Sequence, residues 1–70
     1  MPAQILTAGG TVYDATGKKV GTLHRYEPRG DYLVVRRGVL FPRDIYIPLQ
    51  AFRGTDASGH VWLDVRKGDL

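Results

Sequence analysis

Cysteine is absent from this sequence of 70 residues, so the fold uses neither disulfide bonds nor thiolate metal ligands. Asparagine is absent too, and seven of the ten basic residues are arginine. Such a bias is typical both of thermophilic proteins and of proteins from GC-rich genomes, and it does not distinguish the two. A chain of this length buries only about 60% of the surface that its unfolded form exposes. Its stability must therefore come from tight packing, a compact β topology or association with another chain.

Long apolar runs are also lacking. The opening residues, MPAQILTAGG, have neither a basic start nor an extended apolar stretch, so they do not resemble a secretory signal. Nowhere does the chain approach the roughly 20 consecutive apolar residues that a membrane-spanning helix requires. We therefore expect a cytoplasmic protein that does not insert into a membrane.

The excess of one sign of charge is small. The formal net charge is +3 and the isoelectric point is near 9.6. Hydrophobic residues at 43% and charged residues at 24% are ordinary for a folded domain and exclude an intrinsically disordered chain. The positive excess suits an anionic partner, although dedicated nucleic-acid binders usually concentrate their basic residues more heavily.

Turn-forming residues recur roughly every eight to twelve positions, a rhythm typical of all-β barrels and sandwiches. The segments between them are rich in residues that favour strands. The last of these segments alternates, with Val61, Leu63 and Val65 on one face and Trp62 on the other. We predict a single domain over residues 1–70 that is all-β, a small closed or nearly closed β-barrel of five to six short strands. The predicted strands cover residues 11–14, 19–26, 31–37, 45–49 and 60–66, with one helical turn at 50–53.

The predicted core is built from the inward faces of these strands. In the second strand the apolar spacing lengthens between Val20 and Leu23, and Gly21 lies in the gap, which predicts a β-bulge or a sharp bend. In the third strand both alternating faces are apolar, and we assign the face of Leu33 and Val35 to the core. The expected core residues are Val12, Val20, Leu23, Leu33, Val35, Ile47, Leu49, Val61, Leu63 and Val65.

Three patterns superficially resemble catalytic or ligand-binding motifs. Asp56, Ser58 and His60 are the residue types of a hydrolase triad, but TDASGH reads as one tight turn, whose neighbours do not align as nucleophile, base and orienting group. His24 and His60 belong to different strands and lack enough further ligands for zinc. ATGKK has neither the glycine spacing nor the following helix of a phosphate-binding loop. We therefore expect no enzymatic activity, no metal and no cofactor.

Candidate binding residues surround the segment GVLFPRDIYIPLQAF, which its two prolines keep from forming a helix. Leu40 and Phe41 either fold back over an open end of the barrel or stay outside and contact another molecule. Trp62 either caps the barrel or anchors an interface, and Tyr46 joins it if the two strands are neighbours. The arginines nearby form either a solvated rim or a docking site for an acidic partner or RNA. The candidate partner-binding residues are Phe41, Tyr46, Trp62, Arg36, Arg37 and Arg43.

The pattern as a whole resembles the PRC-barrel family, the fold shared by the H subunit of photosynthetic reaction centres and the ribosome-maturation factor. The segments that carry the resemblance are GGTVYDATGKKVGTLHRYE, DYLVVRRG, LFPRDIYIPLQAF and GHVWLDVRKGDL. They cover nearly the entire chain, and FPRDIYIPLQAF leading into GHVWLDV is the most specific of them, similar to small stand-alone bacterial and archaeal members. The resemblance implies a compact β-barrel that binds or assembles, with no catalytic motif and no cofactor.

Two functional classes follow. The first is a non-catalytic interaction or assembly module, without a small-molecule substrate, that docks on a protein partner or forms a homo-oligomer. We expect a homodimer whose interface includes Phe41, Tyr46 or Trp62. The alternative is an adaptor associated with RNA or a ribonucleoprotein, as the ribosome-maturation relatives imply. That class needs basic residues interleaved with stacking aromatics on one surface. Here the basic residues are spread over many loops, so the first class is favoured.

Overall fold

The computed structural model describes residues 9–70, which form six β-strands and two short 3₁₀ helices. The prediction of an all-β chain is confirmed for these residues. The elements in chain order are β1 (Thr11–Tyr13), β2 (Lys19–Glu27), β3 (Tyr32–Arg37), β4 (Arg43–Pro48), a 3₁₀ helix (Leu49–Ala51), β5 (Phe52–Thr55), β6 (Val61–Leu63) and a second 3₁₀ helix (Lys67–Asp69).

All six strands belong to one mixed sheet with the order β4-β3-β2-β1-β6-β5. β2, β3 and β4 follow one another as an antiparallel meander, and β1 pairs antiparallel with β2. On its other side β1 pairs parallel with β6, where Val12 lies opposite Val61. The antiparallel pair of β5 and β6 completes the sheet.

The two edge strands, β4 and β5, are consecutive in the chain, and this forces the sheet to curl. In a flat sheet of six strands the edges would lie about 24 Å apart, whereas the backbone from Pro48 to Phe52 spans at most about 15 Å. The sheet therefore wraps around its apolar face. It is not closed into a barrel, since no ladder joins β4 to β5 among the described residues. The prediction of a closed or nearly closed barrel is therefore not confirmed.

Two predicted boundaries are wrong in the second half of the chain. The helical turn expected at 50–53 lies at Leu49–Ala51, and Phe52–Thr55 forms the strand β5 instead. The FRGT sequence of β5 shows no alternation of apolar residues, so sequence pattern does not reveal it. The last strand ends at Leu63 rather than at residue 66, and the backbone N–H of the next residue, Asp64, donates to the carbonyl oxygen of Ala51 in the 3₁₀ helix at 2.7 Å.

The core prediction is largely confirmed. Leu33 and Val35 face the core, as assigned, and Ala51 joins it unexpectedly. Val34 is also buried, but it belongs to the other face of the sheet, where it lies between Arg25 and Tyr46 on the neighbouring strands. The buried core cluster is Val12, Val20, Leu23, Leu33, Val35, Ile47, Ala51, Val61 and Leu63, with Leu49 and Val65 only partly buried against it.

The predicted bulge beside Gly21 is confirmed. Val12 pairs with Gly21 and Tyr13 with Lys19, which leaves Val20 as the extra residue in β2. Glycine is required at position 21 by a close approach of two strands. A Cβ there would collide with the carbonyl oxygen of Arg36 on β3 and lie 3.1 Å from its carbonyl carbon.

Candidate interaction surface

Residues 38–42 connect β3 to β4, and we call this segment the apolar loop. Arg37 and Arg43 flank it and are paired across the two strands. Gly38 has a φ of 87°, in the left-handed region that favours glycine, and a Cβ at this position would lie 3.0 Å from the carbonyl oxygen of Phe41. Pro42 restricts its own φ immediately before β4 begins. The loop is thus constrained at both ends.

The apolar loop holds its side chains in solvent. The exposed fractions are 95% for Val39, 85% for Leu40 and 84% for Phe41. Of the two positions predicted for this segment, a lid over the sheet and an external loop, the structure shows the external one. Three consecutive large apolar residues in water form the most conspicuous apolar patch of the described chain.

The three arginines predicted as a basic group have different environments. The Nε atom of Arg36 donates to Oδ1 of Asp44 at 3.0 Å, and this bond lowers the pKa of Asp44 below its usual value. Arg36 is therefore already neutralised on the outer face of the sheet. Among residues 9–70, neither Arg37 nor Arg43 forms an ion pair. Two of the three predicted cations are free to meet an external anion.

Two hollows adjoin the apolar loop and share Arg37. The first, of about 470 Å³, is lined in part by Phe41, Ile45 and Leu70. The second, of about 690 Å³, is basic overall, because three further cations line it with Arg37 and outnumber its two carboxylates, those of Asp14 and Asp69. These cations come from distant parts of the chain, and sequence reasoning did not group them. They are Lys18, Arg66 and Lys67.

The aromatic anchors predicted on the strands lie apart from each other. Tyr46 is 64% exposed on β4, with its ring centroid 5.4 Å from that of Tyr32. Trp62 on β6 is half-buried and stacks on Tyr13, with the ring centroids 5.0 Å apart. Tyr46 was expected to join Trp62 only if their strands were neighbours, and β4 and β6 are not neighbours in the sheet. The two aromatics belong to separate surfaces.

Asp56 organises the turn before β6. Its Oδ1 atom accepts the backbone N–H groups of Ser58 at 2.9 Å and His60 at 3.0 Å, which confirms the predicted turn. The indole N–H of Trp62 donates to Oδ2 at 3.0 Å. This indole bond, with the two backbone bonds, lowers the pKa of Asp56 against the opposing effect of burial. Ser58 contacts the carboxylate through its backbone, so the three residue types of a triad serve here to hold a turn and an aromatic ring.

Asp14 is the buried charged residue of the described chain, with 1% of its surface exposed. Its Oδ1 atom accepts bonds from the backbone and hydroxyl of Thr16 and the backbone of Lys18, while Oδ2 accepts the backbone N–H of Lys67 at 2.8 Å. Burial alone would raise the pKa of Asp14, but these bonds, led by that from Lys67, lower it well below its usual range. In the sequence, Asp14 and the following Gly17 indicate a tight turn and nothing more. No local pattern could have revealed a partner 53 positions away.

No protein-family model matches the chain, and no curated protein matches its sequence. The resemblance to the PRC-barrel family therefore stays a prediction carried by the segments quoted above.

Between residues 9 and 70, no group of three histidine, aspartate or glutamate side chains is placed to hold a metal ion. Within the same residues, no helix has the length and apolar character needed to cross a bilayer.

Proposed function

We propose that the protein is a non-catalytic interaction module that docks on its partner through the apolar loop. The observation that carries the proposal is the exposure of Val39, Leu40 and Phe41. Apolar side chains gain free energy when they leave water, and contiguous exposed patches typically mark contact sites. Phe41 also has unpaired arginines beside it, and aromatic residues and arginine are enriched at interfaces.

The proposed architecture is a PRC-barrel-like single domain, nearly closed, with an open seam between β4 and β5. The curl that the short connection between the edge strands imposes supports this assignment. Such a barrel presents the apolar loop as a projection from a rigid sheet. In this proposal the module acts in the cytoplasm without a cofactor or a small-molecule substrate.

A second copy of the chain is the simplest protein partner. In a two-fold dimer each Phe41 would reach the hollow beside Ile45 and Leu70 of the other copy. The loops must be offset, because a tip-to-tip contact would bring Arg37 and Arg43 of both copies together. Another protein with an apolar pocket bordered by carboxylates would fit the same surface. Of the three aromatic anchors predicted, Phe41 is the one best placed for such contacts.

Sedimentation equilibrium of the wild type, Phe41→Ala and Tyr46→Ala tests the homodimer. We expect the wild type to dimerise at roughly tens of micromolar. Phe41→Ala should weaken the dimer at least about tenfold, because burying a side chain of this size contributes about 1.5–3 kcal/mol on each copy. Tyr46→Ala removes an exposed aromatic from another surface and should leave the dimer intact. A wild type that remains monomeric would refute self-association.

Association with RNA is a second candidate, and the basic hollow lined by Lys18, Arg37, Arg66 and Lys67 favours it. Its lining contains no aromatic residue for base stacking, so binding would rest on phosphate contacts. Fluorescence polarisation with a single-stranded RNA should then show an affinity that falls steeply with salt. Lys67→Gln should weaken it and reduce the salt dependence. Absence of binding at low salt would eliminate this candidate.

A further inference from the structure

We infer that the apolar loop docks on an anionic lipid bilayer, with its tip in the headgroup region and the surrounding cations against the lipid headgroups. The inference rests on the proposed function only in taking this loop as the contact surface. It assigns the surface a different kind of partner from the protein considered above. Three observations favour it: the small size of the apolar tip, the pairing of two like charges beside it, and the cations of the basic hollow.

The apolar tip is small and projecting. Val39, Leu40 and Phe41 together present an apolar area of a few hundred Å², whereas a stable protein interface usually buries about 800 Å² on each partner. A projection of this size needs no matching cavity in a bilayer, because headgroups and acyl chains rearrange around it. Peripheral segments commonly bury their apolar face about 5–10 Å deep, a depth that one loop tip can fill.

The two guanidinium groups at the base of the loop, of Arg37 and Arg43, would be stabilised by an anion. Arg37 and Arg43 lie directly opposite each other on paired strands, and like charges at such positions repel. The nearest carboxylate on β4, that of Asp44, is bonded to Arg36. A second copy docked tip to tip would add two more guanidinium groups, whereas an anionic surface supplies the missing charge to both arginines at once.

The basic hollow extends this positive surface along one side of the loop, because Arg37 lines the basic hollow and also the hollow that contains Phe41. Two carboxylates also line the hollow. That of Asp14 is buried and engaged by its hydrogen bonds, and that of Asp69 offsets one of the four cations, so a positive excess remains. The cations at the base of the loop are thus Arg37 and Arg43, and those in the adjoining hollow are Lys18, Arg66 and Lys67. RNA would satisfy these cations but would leave the apolar tip in water, whereas an anionic bilayer accommodates both features.

A loop docked on a bilayer departs from the expectation of no membrane insertion. That expectation depended on the lack of a run of about 20 apolar residues, which is a criterion for spanning a bilayer. A loop that enters only the headgroup region needs just the few apolar residues at its tip. The requirement is that they project from a rigid fold, as Gly38 and Pro42 make them do.

Co-sedimentation with vesicles tests the inference. The wild type should bind vesicles of phosphatidylcholine and phosphatidylglycerol, bind pure phosphatidylcholine at least about tenfold more weakly, and lose affinity in high salt. Phe41→Asp and Leu40→Asp should each lower the partition coefficient at least about tenfold. Arg43→Gln should lower it about fivefold, the usual effect of one cation near an anionic surface.

Matched variants keep the test specific. Arg29→Gln removes a cation at the opposite end of β3, and Tyr46→Ala removes an exposed aromatic outside the loop, so both should bind within about twofold of the wild type. Equal binding to neutral and anionic vesicles, or binding unchanged in Phe41→Asp and Leu40→Asp, would overturn the inference. So would the absence of vesicle binding. If that absence accompanies a dimer that depends on Phe41, the proposed function survives; if no dimer forms either, self-association fails as well as the bilayer inference.

Discussion

Gly21 and Gly38 are both glycines for reasons that only their neighbours explain. Gly38 has a left-handed backbone conformation at the start of the apolar loop. Gly21 is needed because β2 and β3 approach each other closely beside a bulge. The requirement at Gly38 is conformational and that at Gly21 is steric. Substitutions at the two sites therefore destabilise the fold for different reasons.

Gly21→Ala should lower the free energy of unfolding by about 1–3 kcal/mol, because the added Cβ meets the backbone of Arg36, which cannot move without disturbing the ladder. Chemical denaturation followed by circular dichroism measures the change. Gly68→Ala is the control, since a Cβ at position 68 has open space around it and should change stability by no more than about 0.5 kcal/mol. Equal stability of the two variants would contradict the close approach of β2 and β3.

At the scale of elements, β3 and the apolar loop that follows it use similar residues for opposite purposes. Leu33 in β3 is fully buried, whereas Leu40 in the loop is 85% exposed. The strand contributes to the core and the loop presents side chains to solvent. Hydrophobicity alone does not distinguish these roles. The distinction depends on Gly38, which ends the strand, and on Pro42, which precedes β4.

Leu33→Ala should destabilise the protein by about 2–5 kcal/mol, because it removes buried methyl groups and leaves a cavity. Leu40→Ala makes the same chemical change in solvent and should alter stability by no more than about 0.5 kcal/mol. Urea denaturation of both variants checks the pair. A large loss of stability in Leu40→Ala would show that the loop packs on the sheet as a lid.

For the molecule as a whole, the sequence predicts what depends on local periodicity. The strands that alternate or are rich in β-branched residues are predicted to within a few residues, and the core residues follow from them. β5 is missed because FRGT carries no such signal. The apolar loop is predicted as a candidate contact, but its exposure depends on where the sheet ends. The basic hollow and the bond from Lys67 to Asp14 join residues from opposite ends of the chain, which no local pattern reports.

Acid should unfold the molecule partly through Asp14. The pKa of Asp14 is lower in the folded chain than the value near 3.9 usual for an unfolded one, so its ionised form stabilises the fold above about pH 4. That contribution is lost as the pH falls from there towards the folded pKa. The melting temperature of the wild type should therefore decrease steeply below about pH 4.

Asp14→Asn should melt at least about 5 °C below the wild type at pH 7. One carboxylate oxygen becomes an amide NH₂ group, which cannot accept the N–H groups that Asp14 binds and leaves at least one of them without a partner. Its melting temperature should also fall less steeply in acid. The pKa values of Asp44 and Asp56 are lowered too. The melting temperature of Asp14→Asn will therefore still decrease to some extent in acid. Asp64→Asn, which removes an exposed carboxylate, controls for the loss of one charge. Identical pH profiles for Asp14→Asn and the wild type would exclude the role assigned to Asp14.

The parallel pairing of β1 with β6 has a consequence for the order in which the chain folds. Val12 and Val61 are partners, and 49 positions separate them (61 − 12). During synthesis the meander of β2, β3 and β4 can form early, while one side of β1 waits for nearly the whole chain to leave the ribosome. Contacts of such long range slow folding, typically to milliseconds or longer. Until β6 arrives, one edge of β1 lacks its partner strand, and an unpaired edge is a template for pairing with another chain.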